Sequence, residues 1–387
     1  MQVIQNIIRL TPFYITLFWG LVFVLNPIRI NRARFGLGIF MLTTSVVYFA
    51  HAVYFEGDTL FYMKIDSLYT LADLSVYPMY YLYIRLLTRD IRFKYGYLWH
   101  LLPAVVLAVL LKILLTYASA ADTDFYFNHI VVRHQWPAQD VSLLLKTLAT
   151  TYFASRVVFG IQSVVYLLLG LQLIKKYNKR IANFYSNPDG KRLVWIELLT
   201  LTLLVTALAS FIANLLGRHF FSAHHLLAIP SFLFSFLFFL IGLLGNKQVH
   251  NITHIVKDED NEEYSTDSTQ ITPVLKEKLL ALMENQALYL DPNFRITSLS
   301  EKLFTNRTYL SNLINEEFNM SFSDFVNRYR VSYAKTMMET DAENNFSLEY
   351  ISEKAGFGSL SSFNRAFKKF EKRSAGSFRQ VIKRKTA

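Results

Sequence analysis

Two stretches near the carboxyl end hold the side chains best placed to do chemistry, and that chemistry is recognition. ITSLSEKLFTNRTYLSNLINEEF runs from Ile296 to Phe318, and FSLEYISEKAGFGSLSSFNRAFKKF runs from Phe346 to Phe370. Each reads as a short apolar-patterned helix, a tight turn and a second helix, which is the helix-turn-helix pattern. In the first stretch Leu310, Leu313 and Ile314 form the inward face, so Asn306, Arg307, Thr308, Tyr309, Ser311 and Asn312 point elsewhere. In the second, Ile351, Ala355, Phe363, Phe367 and Phe370 face a core, leaving Ser361, Ser362, Asn364, Arg365, Lys368 and Lys369 on the other side. Short polar groups and arginines at the start of such a helix suit base edges in a major groove. Arg307 and Arg365 are matched to guanine or a phosphate, and Lys368 and Lys369 to the backbone.

The surrounding elements must hold these two helices in register. The glycines of Gly356-Phe357-Gly358 allow a sharp reversal between the second pair. Ser298 with Glu301 reads as a capping box and Ser321 with Asp324 resembles one, marking helix starts. Between the two units, SFSDFVNRYRVSYAKTMMET reads as one long amphipathic helix with Phe325, Tyr329 and Ala334 inward. Two readers on that shared spine would meet neighbouring turns of the groove, roughly 34 Å apart. Thr272-Pro273 begins a further helix through VLKEKLLALMENQAL, with proline at a favourable first position.

The runs TNRTYLSNLINEEFNMSFSDFVNRYRV and ISEKAGFGSLSSFNRAFKKF make residues 274–387 resemble the DNA-binding domain of the arabinose-regulator (AraC) family of bacterial transcription factors. The resemblance covers both units and the joining helix at the family's relative spacing. It implies a seven-helix domain that binds double-stranded promoter DNA, often as a homodimer, with RNA polymerase as a further partner. Near its end the chain departs from the family: Lys372 and Ala375 stand where a glycine and a proline are usual, while Phe378-Arg379 is kept.

The rest of the chain is of a different kind. Hydrophobic residues make up 52% of the 387 residues, with Phe 33 and Tyr 23, and the excess lies before about residue 246. With Cys 0 there is no disulfide, thiolate metal site or cysteine nucleophile. The net charge of +11 suits nucleic acid and an anionic membrane face equally. Apolar runs of spanning length occur at about 10–26, 35–55, 67–87, 98–117, 151–174, 193–216 and 226–245. The run at 67–87 is the weakest, because Asp73 and several tyrosines lower its hydropathy. The first run lacks a small-residue cleavage site and reads as a retained anchor. The expected fold class is therefore all-α: a polytopic helical membrane bundle of about seven spans, then an all-helical domain with two helix-turn-helix units. Domain boundaries are expected at 1–246, 247–273 and 274–387, the middle segment being an acidic linker whose core reads KDEDNEEYSTDSTQ.

Lysines and arginines set the orientation. Arg29, Arg32, Arg34, Arg85, Arg89, Arg92, Lys94, Lys175, Lys176, Lys179, Arg180, Lys191 and Arg192 all fall on one side. That side is then cytoplasmic, which places the amino terminus outside a bacterial inner membrane and the carboxyl-terminal domain beside the chromosome. Within the spans, His51, Asp73, Lys112, Arg156 and Asn214 fall toward the outer half. Tyr69, Asp73, Tyr77 and Tyr80 share one face of the third span. Two readings stay open: a ligand pocket of His51, Asp73, Tyr77, Lys112, Arg156 and Asn214, or a structural ion pair with Lys112 and Arg156 snorkelling. The outer loop 118–147 would be a lid or an interfacial segment. His219, His224 and His225 lack the spacing and carboxylate of a metal site, and neither a metal nor a cofactor is expected. There is no phosphate-cradling glycine loop, HExxH or Gly-x-Ser-x-Gly elbow, so an enzyme is not expected.

These features point to a membrane-bound one-component regulator that takes an unidentified small-molecule or membrane signal and answers at promoter DNA. The alternatives are a transporter or channel with a regulatory DNA-binding appendage, and a tethered factor released by proteolysis.

Overall fold

A computed structural model of the chain describes residues 2–25, 31–89, 95–138, 140–204, 207–208, 228–247, 272–341 and 346–386. The described residues are helical throughout, apart from turns and one isolated antiparallel bridge between Tyr185 and Arg295. Asn214, the three histidines at 219, 224 and 225, and the acidic core of the linker lie outside the described residues. Two compact units emerge. The first comprises Met1–Ile174 with Trp195–Ile252, and the second Lys175–Val194 with Thr253–Ala387.

The first unit contains α1 (Gln2–Val24), α2 (Arg32–Glu56), α3 (Thr59–Thr88), α4 (Leu102–Tyr117), α5 (Ala120–Phe125), most of α6 (Leu143–Phe184), the apolar α7 (Val194–Leu204) and α8 (Ala228–Lys247). Side chains of Asn31 and Asp58 cap α2 and α3 by accepting from backbone N–H groups, satisfying donors the helix leaves open. α1 packs on α2 and α8, α2 on α3, and α3 on α4. Gly242 admits the indole of Trp19, whose ring occupies the space a Cβ would need.

Four helices among the described residues are long and apolar enough to cross a membrane: Arg32–Glu56, Tyr95–Tyr117, Leu143–Phe184 and Ile229–Lys247. Arg9–Val24 and Val194–Leu204 are shorter apolar helices. The expected run at 67–87 is helical within the 30 residues of α3, where Asp66 and Asp73 are buried. Val105, Val106, Val109 and Ile113 on α4 are exposed, as are Val157, Ile161 and Val165 on α6 and Phe232 and Phe236 on α8. Apolar surface on this scale is a cost in water and none in hydrocarbon. The segment 118–147 is partly core: Tyr126, Phe127, Ile130 and Val131 are buried with Tyr62, Leu111, Leu148 and Tyr152.

α6 runs beyond the expected span. Its 42 residues correspond to roughly 63 Å at 1.5 Å per residue, about twice the hydrocarbon thickness. No glycine or proline follows Gly170 within it, and Leu171, Ile174, Tyr177, Ile181 and Phe184 recur at helical spacing, all buried. The lysines and arginine at 175, 176, 179 and 180 therefore sit on a helix and not in a loop.

In the second unit α9 (Thr272–Gln286) begins at Thr272, the position read from the sequence. α10 (Ile296–Lys302) and α11 (Arg307–Phe318) form the first helix-turn-helix, and α12 (Phe322–Thr340) is the spine. α13 (Leu348–Lys354) and α14 (Leu360–Glu371) form the second, and α15 (Ala375–Thr386) follows. The caps are Asn306, Ser321, Ser347 and Ser359. Ser321 Oγ accepts from Asp324 N–H at 3.2 Å and donates to the Asp324 carboxylate at 3.0 Å, a side-chain variant of the box that this pair resembles. Ser298 is not a cap: α10 starts at Ile296 behind Arg295, whose extended backbone is held by the bridge to Tyr185. Ile351, Ala355, Phe363 and Phe367 join Val331, Ala334, Met338, Phe357, Ala375 and Phe378 in one core, with Phe370 packed at its edge. Leu310, Leu313, Ile314, Phe325 and Ala334 are buried as their spacing requires, while Tyr329 is half-buried.

Candidate DNA-binding surface

The two reading helices are launched by the same backbone device. In the first turn Phe304 N–H donates to Glu301 O and Thr305 N–H to Ser300 O. In the second, Gly356 N–H donates to Glu353 O and Phe357 N–H to Ser352 O. Both pivots are left-handed, with φ of 51° at Phe304 and 81° at Gly356. A Cβ on Gly356 would stand 2.5 Å from Leu290 O, so glycine is required there twice over.

Arg307 to Asn312 follow the first pivot. Asn306 is committed to capping, its Oδ1 accepting from Tyr309 N–H at 2.6 Å. Thr308 and Asn312 are exposed, and Arg307, Tyr309 and Ser311 are half-buried. Ser311 accepts from Asn315. On α14, Ser361, Asn364, Arg365, Lys368 and Lys369 are exposed. Ser362 is turned back on Ser359, donating to its carbonyl at 2.7 Å. Arg365 donates to Ser361 Oγ at 2.9 Å, and Lys369 pairs with Asp324 at 2.7 Å. Each reader therefore exposes polar or cationic groups along its first two turns, with its apolar residues inward.

The residue that fixes the frame escaped the sequence reading. Arg330 on α12 is 0% exposed, the largest fully buried side chain among the described residues. Its guanidinium donates to Tyr289 O at 2.6 Å, Asp291 O at 2.8 Å, Asn187 Oδ1 at 3.0 Å, Ser186 Oγ at 3.1 Å and Asn327 Oδ1 at 3.4 Å. Burial lowers its pKa from the ordinary value to about 9, against the opposing pull of Asp291, so it stays cationic at neutral pH. Its position four residues after Val326 and four before Ala334 puts it on the apolar face, a signal available in the sequence.

Residues 299–381 match a family described as a helix-turn-helix domain. The carboxyl-terminal unit carries a helix-turn-helix domain. Over 85 residues the chain is 33% identical to an uncharacterised HTH-type transcriptional regulator, YtdP, of Bacillus subtilis (strain 168). That match takes in 22% of this chain and 11% of the relative, so the chain spans about a tenth of the relative's length. A solved protein of unknown function from Listeria innocua is 27% identical, over 28% of this chain and 97% of its own, with a TM-score of 0.24. At that score the likeness bears on nothing further.

In the first unit, α2, α3 and α6 bring together several of the polar residues singled out above. Arg156 Nη1 stands 3.4 Å from Asp73 Oδ2 and donates to Tyr69 OH at 3.1 Å. Its guanidinium lies over the Tyr152 and Tyr69 rings at 4.8 and 5.3 Å. His51 Nε2 is 3.2 Å from the same Tyr69 hydroxyl. Tyr77 stacks edge-on against Phe159 at 5.5 Å, and Lys112 is exposed on α4, away from these bonds. Asp66 was missed by the sequence reading. It is 1% exposed and accepts from Tyr126 OH at 2.8 Å, one helical turn before Tyr69. Extending the Tyr69–Asp73–Tyr77 face backward by one turn would have reached Asp66, and by two turns Tyr62.

Proposed function

We propose that the chain is a membrane-bound one-component transcriptional regulator of the AraC type. The observation that carries this reading is the joining, in one chain, of a helix-turn-helix domain to four helices of spanning length with exposed apolar faces. Lipid covers those faces, and the excess of lysine and arginine on one side puts the reading helices in the cytoplasm. The helix-turn-helix domain binds promoter DNA through the exposed residues of α11 and α14, with phosphate contacts from lysines and base contacts from Asn312, Asn364 and the arginines. The signal is taken by the buried cluster of Asp73, Arg156, Tyr69 and His51, to which this reading adds Asp66. A ligand or membrane state that alters that ion pair biases the unit between two arrangements.

A reporter active only in the cytoplasm, fused after Ala387, tests the topology: activity is expected, and activity solely from a periplasmic reporter would overturn it. Replacing Asp73 by Asn leaves Arg156 without its buried counter-charge. The expected outcome is a promoter response fixed in one state while duplex binding by the helix-turn-helix domain persists.

A further inference from the structure

We propose that the stretch Phe184–Asp189 is an internal occupant of the DNA-reading surface, so that duplex and this stretch exclude one another. The proposal rests on the reading of α11 and α14 as DNA contacts and names the regulation of that same surface. Lys175–Val194 belongs to the same compact unit as the helix-turn-helix domain.

The stretch meets both readers at once. Asp189 Oδ2 lies 2.5 Å from Arg365 Nη2, placing a carboxylate where a DNA phosphate or guanine edge would go. At the other reader, the Arg307 guanidinium sits 5.6 Å from the centre of the Phe184 ring. The last turns of α6 face Arg307, Thr308, Ser311 and Asn312 across a cavity of about 250 Å³. A B-DNA major groove about 12 Å wide must be filled by a reading helix, and it does not fill while a second helix stands against that face.

The contact is built from buried bonds. Ser186 N–H donates to Phe294 O at 3.1 Å, and Ser186 and Asn187 accept from the buried Arg330. The Asn187 amide donates to Gly356 O, at the pivot of the second helix-turn-helix, at 3.2 Å. Ser186 is fully buried and Tyr185 is 6% exposed. The stretch begins at the last residue of α6, the helix that also carries Arg156 in the first unit. Masking of the competent form raises the apparent dissociation constant by the inverse of the unmasked fraction.

With no native cysteine, the chain allows a clean lock. A Cβ on Gly358 would lie 3.7 Å from Asn187 Cβ, inside the range for a disulfide. The full chain with Asn187→Cys and Gly358→Cys, in lipid nanodiscs, is first reduced and used to enrich binders from a random-core duplex library. Binding of the enriched pool is then compared before and after oxidation. The expected result is a loss of about tenfold or more in affinity on oxidation, reversed by dithiothreitol. In the unlocked chain, Asp189→Asn should tighten binding beyond Asp124→Asn, an equal charge change in the first unit. Equal affinity of oxidised and reduced forms overturns the proposal, as does failure of the two thiols to join. A reduced form and a native chain that both ignore every duplex overturn instead the DNA-binding reading beneath it.

Discussion

Asn364 and Lys368 stand a turn apart on the exposed face of α14, yet they are expected to fail differently when removed. Asn364→Ala should cost about 1–3 kcal/mol of discrimination at one base pair and little elsewhere, measured by fluorescence anisotropy over a panel of single-substituted duplexes. Lys368→Ala should weaken all duplexes alike and lower the slope of log affinity against log salt by about 0.9. Equal losses on every duplex for Asn364→Ala would remove it from base reading. Both positions were legible in the sequence because a helix that turns Phe363 and Phe367 inward must turn residues 361, 364, 365 and 368 outward. Spacing alone puts Arg330 on the apolar face as well, but its charge argues for the surface, and only its five hydrogen bonds explain its burial. Arg330→Met would strand the carbonyls of Tyr289 and Asp291 and should cost about 3 kcal/mol or more, seen as a lower midpoint in thermal unfolding of the full chain's second unit.

At the level of elements, the two helix-turn-helix turns are one design executed with different residues. Gly356 fills the left-handed pivot at no steric cost, whereas Phe304 occupies the equivalent pivot at φ 51° with 97% of its surface exposed. Phe304→Gly should therefore stabilise the domain by about 1 kcal/mol, because a strained conformation is relieved and no packing is lost. Lys372, at φ 59° where the resembling family has glycine, should respond in the same direction. Gly356→Ala should do the reverse, driving a methyl into Leu290 O and costing about 1–3 kcal/mol. Calorimetry of the three variants checks the signs together. Helix existence was readable from apolar spacing throughout this unit, and helix ends less so. The cap at Ser298 was wrong because the bridge between Arg295 and Tyr185 starts α10 earlier, a contact across more than a hundred residues. The extent of α6 was missed for a related reason. A cluster of lysines and arginines marks the side of a membrane and says nothing about whether the chain there is helical, whereas the buried Ile181 and Phe184 do.

The whole molecule joins an apolar helical unit to a second unit that carries a helix-turn-helix domain and residues 175–194 from the middle of the chain. The apolar character of the first unit was legible from composition, and the polar cluster of Asp73 and Arg156 from the rarity of charge in such helices. The packing of 184–189 against the helix-turn-helix domain within the second unit was not legible, because a short non-repeating segment carries no periodic signal and its partners lie about a hundred residues and more away. That this chain reads duplex sequence rests on the helix-turn-helix domain at residues 299–381. That reading is tested most directly by selecting from a random-core duplex library with the full chain in nanodiscs. The expected pool converges on two short elements whose centres are about 10 base pairs apart, one for each reading helix. A pool as random after selection as before it would mean that the chain does not read duplex sequence.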